Sequence, residues 1–382
     1  ILSASNEPLW VIDGVPVYTG GRTNQMARTS YTVSPLSYLN PDDIESITVL
    51  KDADQVTIYG ADGSNGVILV TTKSGSNNKP LAISARVNFG VATIDKSTEF
   101  RMMSQEQYLA VAKEAWTNAG NSLKTFPYQD NDYNSYSTTD TDWSKEYLGV
   151  GTNLYADLSL TSGTKKTSNY VTGSYYKTDN TVKSDSQQRF SFRTRNSYDF
   201  TKWLRFNAQL SASYNTNNLF PLYRGFLETL PIFEPYLSDG SFRLYNKVYD
   251  EASGGWVMRK FTKNEVPARE ANTNTQRSVM TSANFSVEAK IFDGLKFTSQ
   301  YAIDYTHSHE DIYYSRTTLS GMDSAGNPKG SSRRADASYM NWTNVERLNY
   351  DKRFADRHNV SAYAGVEFRQ VKYQTLYATG SG

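Results

Sequence analysis

The sequence contains no cysteine, so neither disulfides nor thiolate metal sites can form within its 382 residues. The 40 basic and 39 acidic side chains nearly cancel, and with a net charge of +1 nothing suggests a nucleic-acid-binding surface. No apolar run approaches the roughly 20 residues that a transmembrane helix needs, and no signal peptide is visible. Because the chain starts with Ile1 and not with methionine, we expect residue 1 to be a break within a longer protein.

Aromatic residues are plentiful, with 28 Tyr, 17 Phe and 6 Trp. They suit the interfacial girdles of a membrane barrel, but a carbohydrate-binding or soluble β protein has a similar composition. The mean hydropathy of −0.60 does not exclude a membrane, because lipid-facing and lumen-facing residues alternate along barrel strands. Composition therefore leaves two classes open, a soluble β-rich protein and a membrane β-barrel.

Apolar and polar residues alternate with period two over many segments after residue 80, as in residues 81–91 and 204–214. We count nine candidate strands of this kind. Short links, such as 161–167 and 293–294, alternate with long links, such as 92–153, 215–276 and 306–337. Outer-membrane barrels have short periplasmic turns and longer extracellular loops, whereas a soluble sandwich has no reason to alternate them. The pattern favours the barrel.

The first 79 residues predict a small mixed α/β unit. Asn40 and Pro41 are suited to begin a short helix, and a strand follows at 46–50. A second short helix is predicted at 52–59, with Gly60 ending it in a left-handed conformation. Gly63 and Gly66 then allow tight turns before a buried strand at 67–72. Such a unit is too small to be stable alone.

Two segments carry a family resemblance, PLWVIDGVPV at 8–17 and NPDDIESITVLKDADQVTIYGADGSNGVILVTTK at 40–73. Together they resemble the second half of the plug domain of TonB-dependent outer-membrane transporters, in the SusC/RagA-like branch. The later segments TDWSKEYL at 141–148 and RFSFRTRNSYDFTKWLRFNAQLSASYN at 189–215 are similar to barrel segments of that family. The chain departs from the family at Asp54, Gln55 and Asp62, and Asp62 stands where a basic residue is common.

The resemblance implies a membrane β fold. We expect an antiparallel outer-membrane β-barrel, of about 22 strands when complete and roughly nine here, with a small α/β plug domain in its lumen. Residues 1–79 would be the C-terminal part of the plug domain, and residues 80–382 the N-terminal part of the barrel with long extracellular loops. Asp13, Gly14, Gly60, Gly63 and Gly66 form the plug structural motif. The implied location is the bacterial outer membrane.

The implied function is TonB-dependent import of oligosaccharides or peptides, with substrate held between plug, barrel loops and a SusD-like lipoprotein lid. The implied partners are that lipoprotein, TonB energised by ExbB and ExbD, the substrate and outer-membrane lipid, but no nucleic acid and no cofactor. The plug loop between the two motifs is the candidate substrate contact, against the alternative of a solvated loop. Its candidate residues are Tyr18, Arg22, Asn24, Gln25, Arg28 and Tyr31. Trp256, in a long loop, is a candidate contact for an external partner.

Two other functions stay open, an outer-membrane receptor or adhesin that binds ligand without importing it, and an assembly component that anchors partners. No catalytic motif is visible, so we expect no enzyme activity. The glycine spacing at 60, 63 and 66 leads into a strand, which does not fit a dinucleotide site. His307 and His309, and the aspartates at 130, 132, 140 and 142, are interpreted as polar loop residues and not as metal ligands.

Overall fold

The computed structural model describes residues 8–17, 41–95, 102–220, 225–354 and 357–382. They contain a four-stranded sheet, a nine-stranded sheet, a two-stranded hairpin and several short helices. The elements of the small unit are β1 (Leu9–Ile12), β2 (Val15–Val17), a 3-10 turn (Pro41–Asp43), β3 (Ile44–Leu50), α1 (Ala53–Val56), a 3-10 segment (Thr57–Gly63) and β4 (Val67–Thr72). None of the described helices is long and apolar enough to cross a membrane.

The small unit is a mixed sheet in the order β2-β1-β4-β3, with β1 parallel to β4 and the other pairs antiparallel. Asp13 and Gly14 make the two-residue turn between β1 and β2, with φ of 51° and 82°. Positive φ at both positions matches the Asp-Gly hairpin turn, whose twist suits two antiparallel strands. Leu9, Val11 and Val67 are buried between the sheet and the helical segment.

The segment predicted as one helix at 52–59 is instead divided. α1 ends at Val56, and a 3-10 segment continues to Gly63 with a kink at Gly60. Gly60 has φ 58° and ψ −144°, a combination that essentially only glycine adopts. Gly63 packs tightly, since a Cβ there would lie 3.0 Å from the carbonyl oxygen of Val56. Gly66, with φ 89°, turns the chain into β4.

The remaining strands form the large sheet and one separate hairpin. They are β5 (Ala82–Ala92), β6 (Gly151–Gly163), β7 (Thr167–Asp179), β8 (Ser186–Asp199), β9 (Leu204–Asn218), β10 (Tyr245–Asp250), β11 (Gly255–Lys260), β12 (Thr273–Phe292), β13 (Leu295–Tyr314), β14 (Ser331–Phe354) and β15 (His358–Ser381). In the described residues the large sheet has nine antiparallel strands, ordered β15-β14-β13-β12-β9-β8-β7-β6-β5. β10 and β11 pair only with each other.

The two faces of the large sheet differ as the alternation predicts. One face is apolar and exposed, as at Phe89, Phe190 and Val366. The other face is polar and partly buried against the small unit, as at Arg193 and Gln300. We call this polar face the wall. Its polarity fits a wet lumen, and its partial burial follows from the small unit packed against it.

Two expectations about the links are wrong. Half of the long link predicted at 306–337 is strand, because β13 runs to Tyr314 and β14 begins at Ser331. The link predicted at 215–276 contains the hairpin β10–β11. Polar residues predominate in the extensions of β13 and β14, and the hairpin strands mix polar and apolar residues on each face, so apolar alternation does not reveal them. His307 and His309 therefore lie in a strand and not in a loop.

Short helices organise the long links. They are α2 (Gln105–Asn118), α3 (Trp143–Tyr147), α4 (Gly225–Glu228) and α5 (Val266–Ala271). Ser104 and Gln107 form a reciprocal capping box at the start of α2. Trp143, Tyr147, Phe261 and Val266 are buried together and join α3, α5 and the end of β11. We call these four residues the loop core. The long links are therefore packed structures with a hydrophobic centre.

Candidate functional site

The contact between the small unit and the wall centres on Asp13, whose side chain is 3% exposed. Its carboxylate accepts hydrogen bonds from the Thr72 amide at 3.0 Å and the Thr72 hydroxyl at 2.6 Å. From the wall, Arg193 Nη2 lies 2.7 Å from Oδ2 and Arg195 Nη1 lies 3.0 Å from Oδ1. We call Asp13, Thr72, Arg193 and Arg195 the latch. It joins two strand ends of the small unit to one wall strand.

Strand geometry explains why two arginines reach one carboxylate. Arg193 and Arg195 are two apart on β8, so both side chains leave the same face. Arg193 also donates to the Thr72 hydroxyl, and Arg195 donates to the Thr72 carbonyl at 2.9 Å. Within the described chain, Arg193 Nε and Nη1 have no hydrogen-bond partner. The buried guanidinium of Arg193 therefore has Asp13 as its carboxylate in direct contact, with Asp43 as a second negative charge nearby.

Electrostatics keep the latch ionised near neutral pH. Burial alone would raise the pKa of Asp13, but Arg193, Arg195 and the hydrogen bonds from Thr72 outweigh it and lower the pKa below 3.8. A carboxyl group with a lowered pKa stabilises the folded contact fully above its unfolded value. That contribution is lost as the pH falls through the lower pKa of the folded state, so the latch persists across the physiological range.

Four further contacts join the small unit to the wall around the latch. The Tyr170 hydroxyl donates to Asp43 Oδ1 at 2.9 Å, and Gln300 Nε2 donates to the Asp13 carbonyl at 3.2 Å. Arg86 pairs with Asp42, and Arg369 Nη1 lies 3.3 Å from Asp62 Oδ2. The contacts come from β5, β7, β13 and β15, so they are spread across the wall. Asp62, the departure from the family pattern, thus faces a basic residue of the wall.

Comparison with known proteins identifies the small unit and the wall. Residues 3–67 match the family model described as TonB-dependent Receptor Plug Domain. The chain is 26% identical over 385 residues to TonB-dependent receptor P26 of Formosa agariphila, covering 100% of this chain and 36% of the relative. It is 32% identical over 190 residues to TonB-dependent receptor SusC of Bacteroides thetaiotaomicron, covering 50% of this chain and 17% of SusC.

Among solved structures, the RagAB peptide importer in its closed-closed state matches with a TM-score of 0.77 at 20% identity. The match covers 99% of this chain and 43% of that chain. The plug-domain match, the TonB-dependent receptor relatives and the RagAB likeness together support a SusC/RagA-like TonB-dependent transporter. The small unit is part of a plug domain, and the large sheet has the RagA-like barrel fold. The chain spans 36% and 32% of the length of two Formosa relatives that match most of it.

A polar cavity of about 420 Å³ lies between the plug and the barrel wall, next to the latch. Plug and linker residues lining it are Asp13, Gly14, Ser74, Gly75 and Asn77, and wall residues include Arg195, Asn207, Glu288, Gln300, Arg347 and Asn349. It lies toward the short-turn end of the sheet, where the linker after β4 meets the wall. Because Asp13 and Gly14 form one side of the cavity, moving their turn would enlarge it.

The linker itself is held tightly against the wall. Asn78 N donates to the Thr164 carbonyl at 3.0 Å, and Gly163 N donates to the Lys79 carbonyl at 2.8 Å. A Cβ built on Gly75 would lie 2.5 Å from the backbone nitrogen of Asn169, which is far inside van der Waals contact. Glycine is therefore required at position 75 by close backbone approach.

Gly75→Ala is expected to displace the linker from the wall, because the clash is with backbone and cannot be relieved by a rotamer. Overpacking of this kind costs about 1–3 kcal/mol. We expect limited proteolysis to cut residues 73–81 faster in Gly75→Ala than in wild type. Ser74→Ala, at the exposed neighbouring position, is the matched control and should leave the rate unchanged. Equal rates for the two variants would contradict the close approach.

Tyr170→Phe tests the second plug contact. Burial raises the pKa of Asp43, while the Tyr170 hydrogen bond, Arg193 and Lys73 act against that rise. Losing a hydrogen bond to a buried charged group costs about 1.5–3 kcal/mol. Hydrogen exchange of β3 and β4 amides should therefore accelerate by about ten- to a hundredfold. Tyr175→Phe, on the opposite face of β7, should not change it, and equal exchange in both variants would refute the contact.

The structure places the predicted site residues unequally. Tyr18, Arg22, Asn24, Gln25, Arg28 and Tyr31 lie outside the described residues. Asp13 and Gly14 lie at the latch, and the three other motif glycines shape the chain between α1 and β4. Sequence reasoning missed the pairing of Asp13 with Arg193 and Arg195. The signal was present as an Asp-Gly turn and two arginines on one strand face, but nothing local connects residues 180 positions apart.

The predicted polar clusters make local contacts. Asp130 accepts a hydrogen bond from Ser137 N at 2.8 Å, and Asp142 caps α3. His309 contacts Asp311 and Asp336, each at 2.7 Å, on the outer side of β13. Across the described ranges, no group of three or more histidine, aspartate or glutamate side chains could hold a metal ion.

Proposed function

We propose that the full-length protein imports oligosaccharides or peptides across the bacterial outer membrane, using energy delivered by TonB with ExbB and ExbD. The observation that carries this proposal is the latch. A buried, ionised carboxylate is held by two arginines of the wall and by Thr72. In a receptor that never imports its ligand, the plug stays in place and needs no polar contact that can break and re-form. In an importer, the plug is pulled aside and returns, so it needs such a contact.

The energetics of the latch support a requirement for external work. Breaking a buried ion pair leaves an uncompensated charge, which costs about 3–5 kcal/mol. The other four plug contacts add to this cost, so spontaneous opening would be rare. A pull on the plug that separates Asp13 from β8 would expose Arg193 and Arg195 to the cavity. Polar groups along the wall then offer a wet route for the substrate.

Substrate capture is assigned to the extracellular side. We propose that a SusD-like lipoprotein covers the long links and that the plug loop residues contact the substrate, namely Tyr18, Arg22, Asn24, Gln25, Arg28 and Tyr31. Trp256 is 38% exposed and packs edge-on against Tyr249 on the β10–β11 hairpin. An exposed tryptophan on a braced hairpin suits a protein contact. No covalent step is needed, so this function requires neither an enzyme site nor a cofactor.

The chain divides into two parts. We propose residues 1–79 as the C-terminal part of the plug and residues 80–382 as the N-terminal part of the barrel. The family match over residues 3–67 and the start of β5 at Ala82 support this division.

Mass spectrometry of the full-length assembly, gently extracted from its native outer membrane, tests partner and substrate together. We expect a co-purifying surface lipoprotein and retained glycans or peptides, which would select the substrate class. A barrel with neither lipoprotein nor ligand would contradict the importer. Stoichiometric partners without any retained ligand would instead favour an assembly component.

A further inference from the structure

A second cavity, of about 390 Å³, lies at the long-loop end of the wall. One side of the cavity is lined by residues at the ends of β12 and β13. The other side is lined by residues of α5 and of the segment that precedes α5. Residues lining it are Leu219, Phe220, Leu244, Thr262, Asn264, Glu265, Pro267, Ala268, Asn272, Thr273, Asn274, Ile312, Tyr314, Thr318, Leu319 and Ser320. Half of these residues are apolar or aromatic, whereas the cavity beside the latch is lined almost entirely by polar residues.

Two acceptor atoms in this lining lack partners. Glu265 Oε2 and Asn274 Oδ1 are buried and have no hydrogen-bond partner within the described chain. The neighbouring amides are committed, since Asn272 Oδ1 accepts from Ser315 N at 2.8 Å and Asn264 Nδ2 donates to Pro235 O at 2.9 Å. Buried acceptors are normally paired, so two of them in one cavity indicate a missing donor.

The backbone holds Glu265 in this position. Its N–H donates to the Tyr147 hydroxyl at 2.7 Å, and Tyr147 belongs to the loop core. Val266, the next residue, is fully buried in the same cluster. Glu265 therefore sits on a packed support and not on a free loop, which is what a preorganised binding group requires.

The charge of Glu265 is finely balanced. Burial raises its pKa to about 7, with Lys263 opposing the rise and Glu228 adding to it. The other charged groups near Glu265 are already paired, Lys263 with Glu228 and Arg269 with Glu270. The nearby titratable tyrosines are Tyr147 and Tyr314. A cation entering the cavity would favour the ionised carboxylate.

We propose that this cavity binds a primary ammonium group, with Glu265 and Asn274 accepting its N–H groups. An ammonium group offers three donors and no acceptor, which matches a lining with two vacant acceptors. A neutral hydroxyl would supply one donor and no charge. The same chemistry is found at the amino end of a peptide and on an amino sugar. The inference rests on the proposed importer function and names one chemical group of its substrate.

Binding to the purified full-length transporter, measured by calorimetry in detergent without TonB, tests the proposal. The probes are trileucine, N-acetyl-trileucine, the glucosamine trimer and the N-acetylglucosamine trimer. We expect wild type to bind a free-amine probe at least tenfold more tightly than its acetylated form. If trileucine shows the difference, the source is a peptide, and if the glucosamine trimer shows it, the source is an amino sugar.

Glu265→Gln should abolish this preference while keeping the shape of the cavity. Asn274→Ala, a second variant that leaves the loop core intact, should weaken it. Glu251→Gln, on the exposed β10–β11 turn, is the control and should retain it. For wild type, the preference should peak between about pH 7 and 8, because Glu265 is protonated below this range and a peptide amino group loses its proton above it.

Equal binding of free and acetylated probes, or no binding of either amine, would overturn the proposal. So would a preference that persists in Glu265→Gln. Because the assay needs no TonB, binding without uptake in cells would refute the importer and leave the ammonium site standing. Uptake of a substrate without an amino group would support the importer and count against the ammonium site.

Discussion

Asp13→Ala is expected to loosen the plug by about 3–5 kcal/mol, the largest effect of any single plug substitution considered. The variant leaves Arg193 buried without its countercharge and removes the acceptor of two Thr72 hydrogen bonds. A change of this size raises the population of the opened plug by about 150- to 5,000-fold. Hydrogen exchange at the amides of β1 and β4 measures that population directly, and it should accelerate by the same factor.

Matched variants separate the latch from general damage. Glu45→Ala removes an exposed carboxylate from β3 and should leave exchange unchanged. The double variant Asp13→Ala with Arg193→Ala should be less impaired than the sum of the two single variants, because the two residues act as a pair. Additive effects, or equal exchange in Asp13→Ala and Glu45→Ala, would show that the carboxylate does not hold the plug.

Trp143→Ala is expected to disorganise the long links while sparing the plug. Trp143 is 1% exposed, packs edge-on against Phe261 and donates from its indole nitrogen to the Leu230 carbonyl at 3.0 Å. Removing a buried tryptophan costs about 3–5 kcal/mol. The loop core supports the backbone of Glu265 through Tyr147, so the variant should also lose lipoprotein co-purification and the amine preference.

The readout for Trp143→Ala is exchange measured segment by segment. We expect faster exchange in α3 and α5 and unchanged exchange in β4. Trp203→Ala, which removes an exposed tryptophan at the short-turn end, is the control and should leave both regions unchanged. Loss of protection in β4 of Trp143→Ala would mean that the loop core and the plug unfold together, against the separation described above.

Local patterns in the sequence predicted the parts of the fold that depend on neighbouring residues. Period-two alternation located the strands of the large sheet whose one face is apolar and exposed. The Asp-Gly turn at 13–14 and the Ser104 capping box were also local. The extended ends of β13 and β14 and the β10–β11 hairpin were missed, because they mix polar and apolar residues and show no sustained period-two alternation.

The candidate sites depend on contacts between residues that are far apart in the sequence. Local sequence patterns do not predict such contacts. Asp13 meets Arg193 across 180 positions, and Glu265 shares a cavity with Ile312 and Tyr314 of β13. The spacing of two residues on one strand predicts that Arg193 and Arg195 lie side by side. It does not predict that their partner is Asp13. The family resemblance supplied the plug and the barrel, and it left the latch and the second cavity to be found in the structure.

Substrate accumulation in living cells tests the importer most directly. Cells expressing the full-length protein and the proposed lipoprotein partner would receive the radiolabelled ligand identified by mass spectrometry. We predict accumulation that stops when a proton uncoupler is added and in cells lacking TonB, with surface binding unchanged in both cases. Accumulation that continues without TonB and without a proton gradient would contradict an energised plug, and binding without accumulation in wild-type cells would identify a receptor.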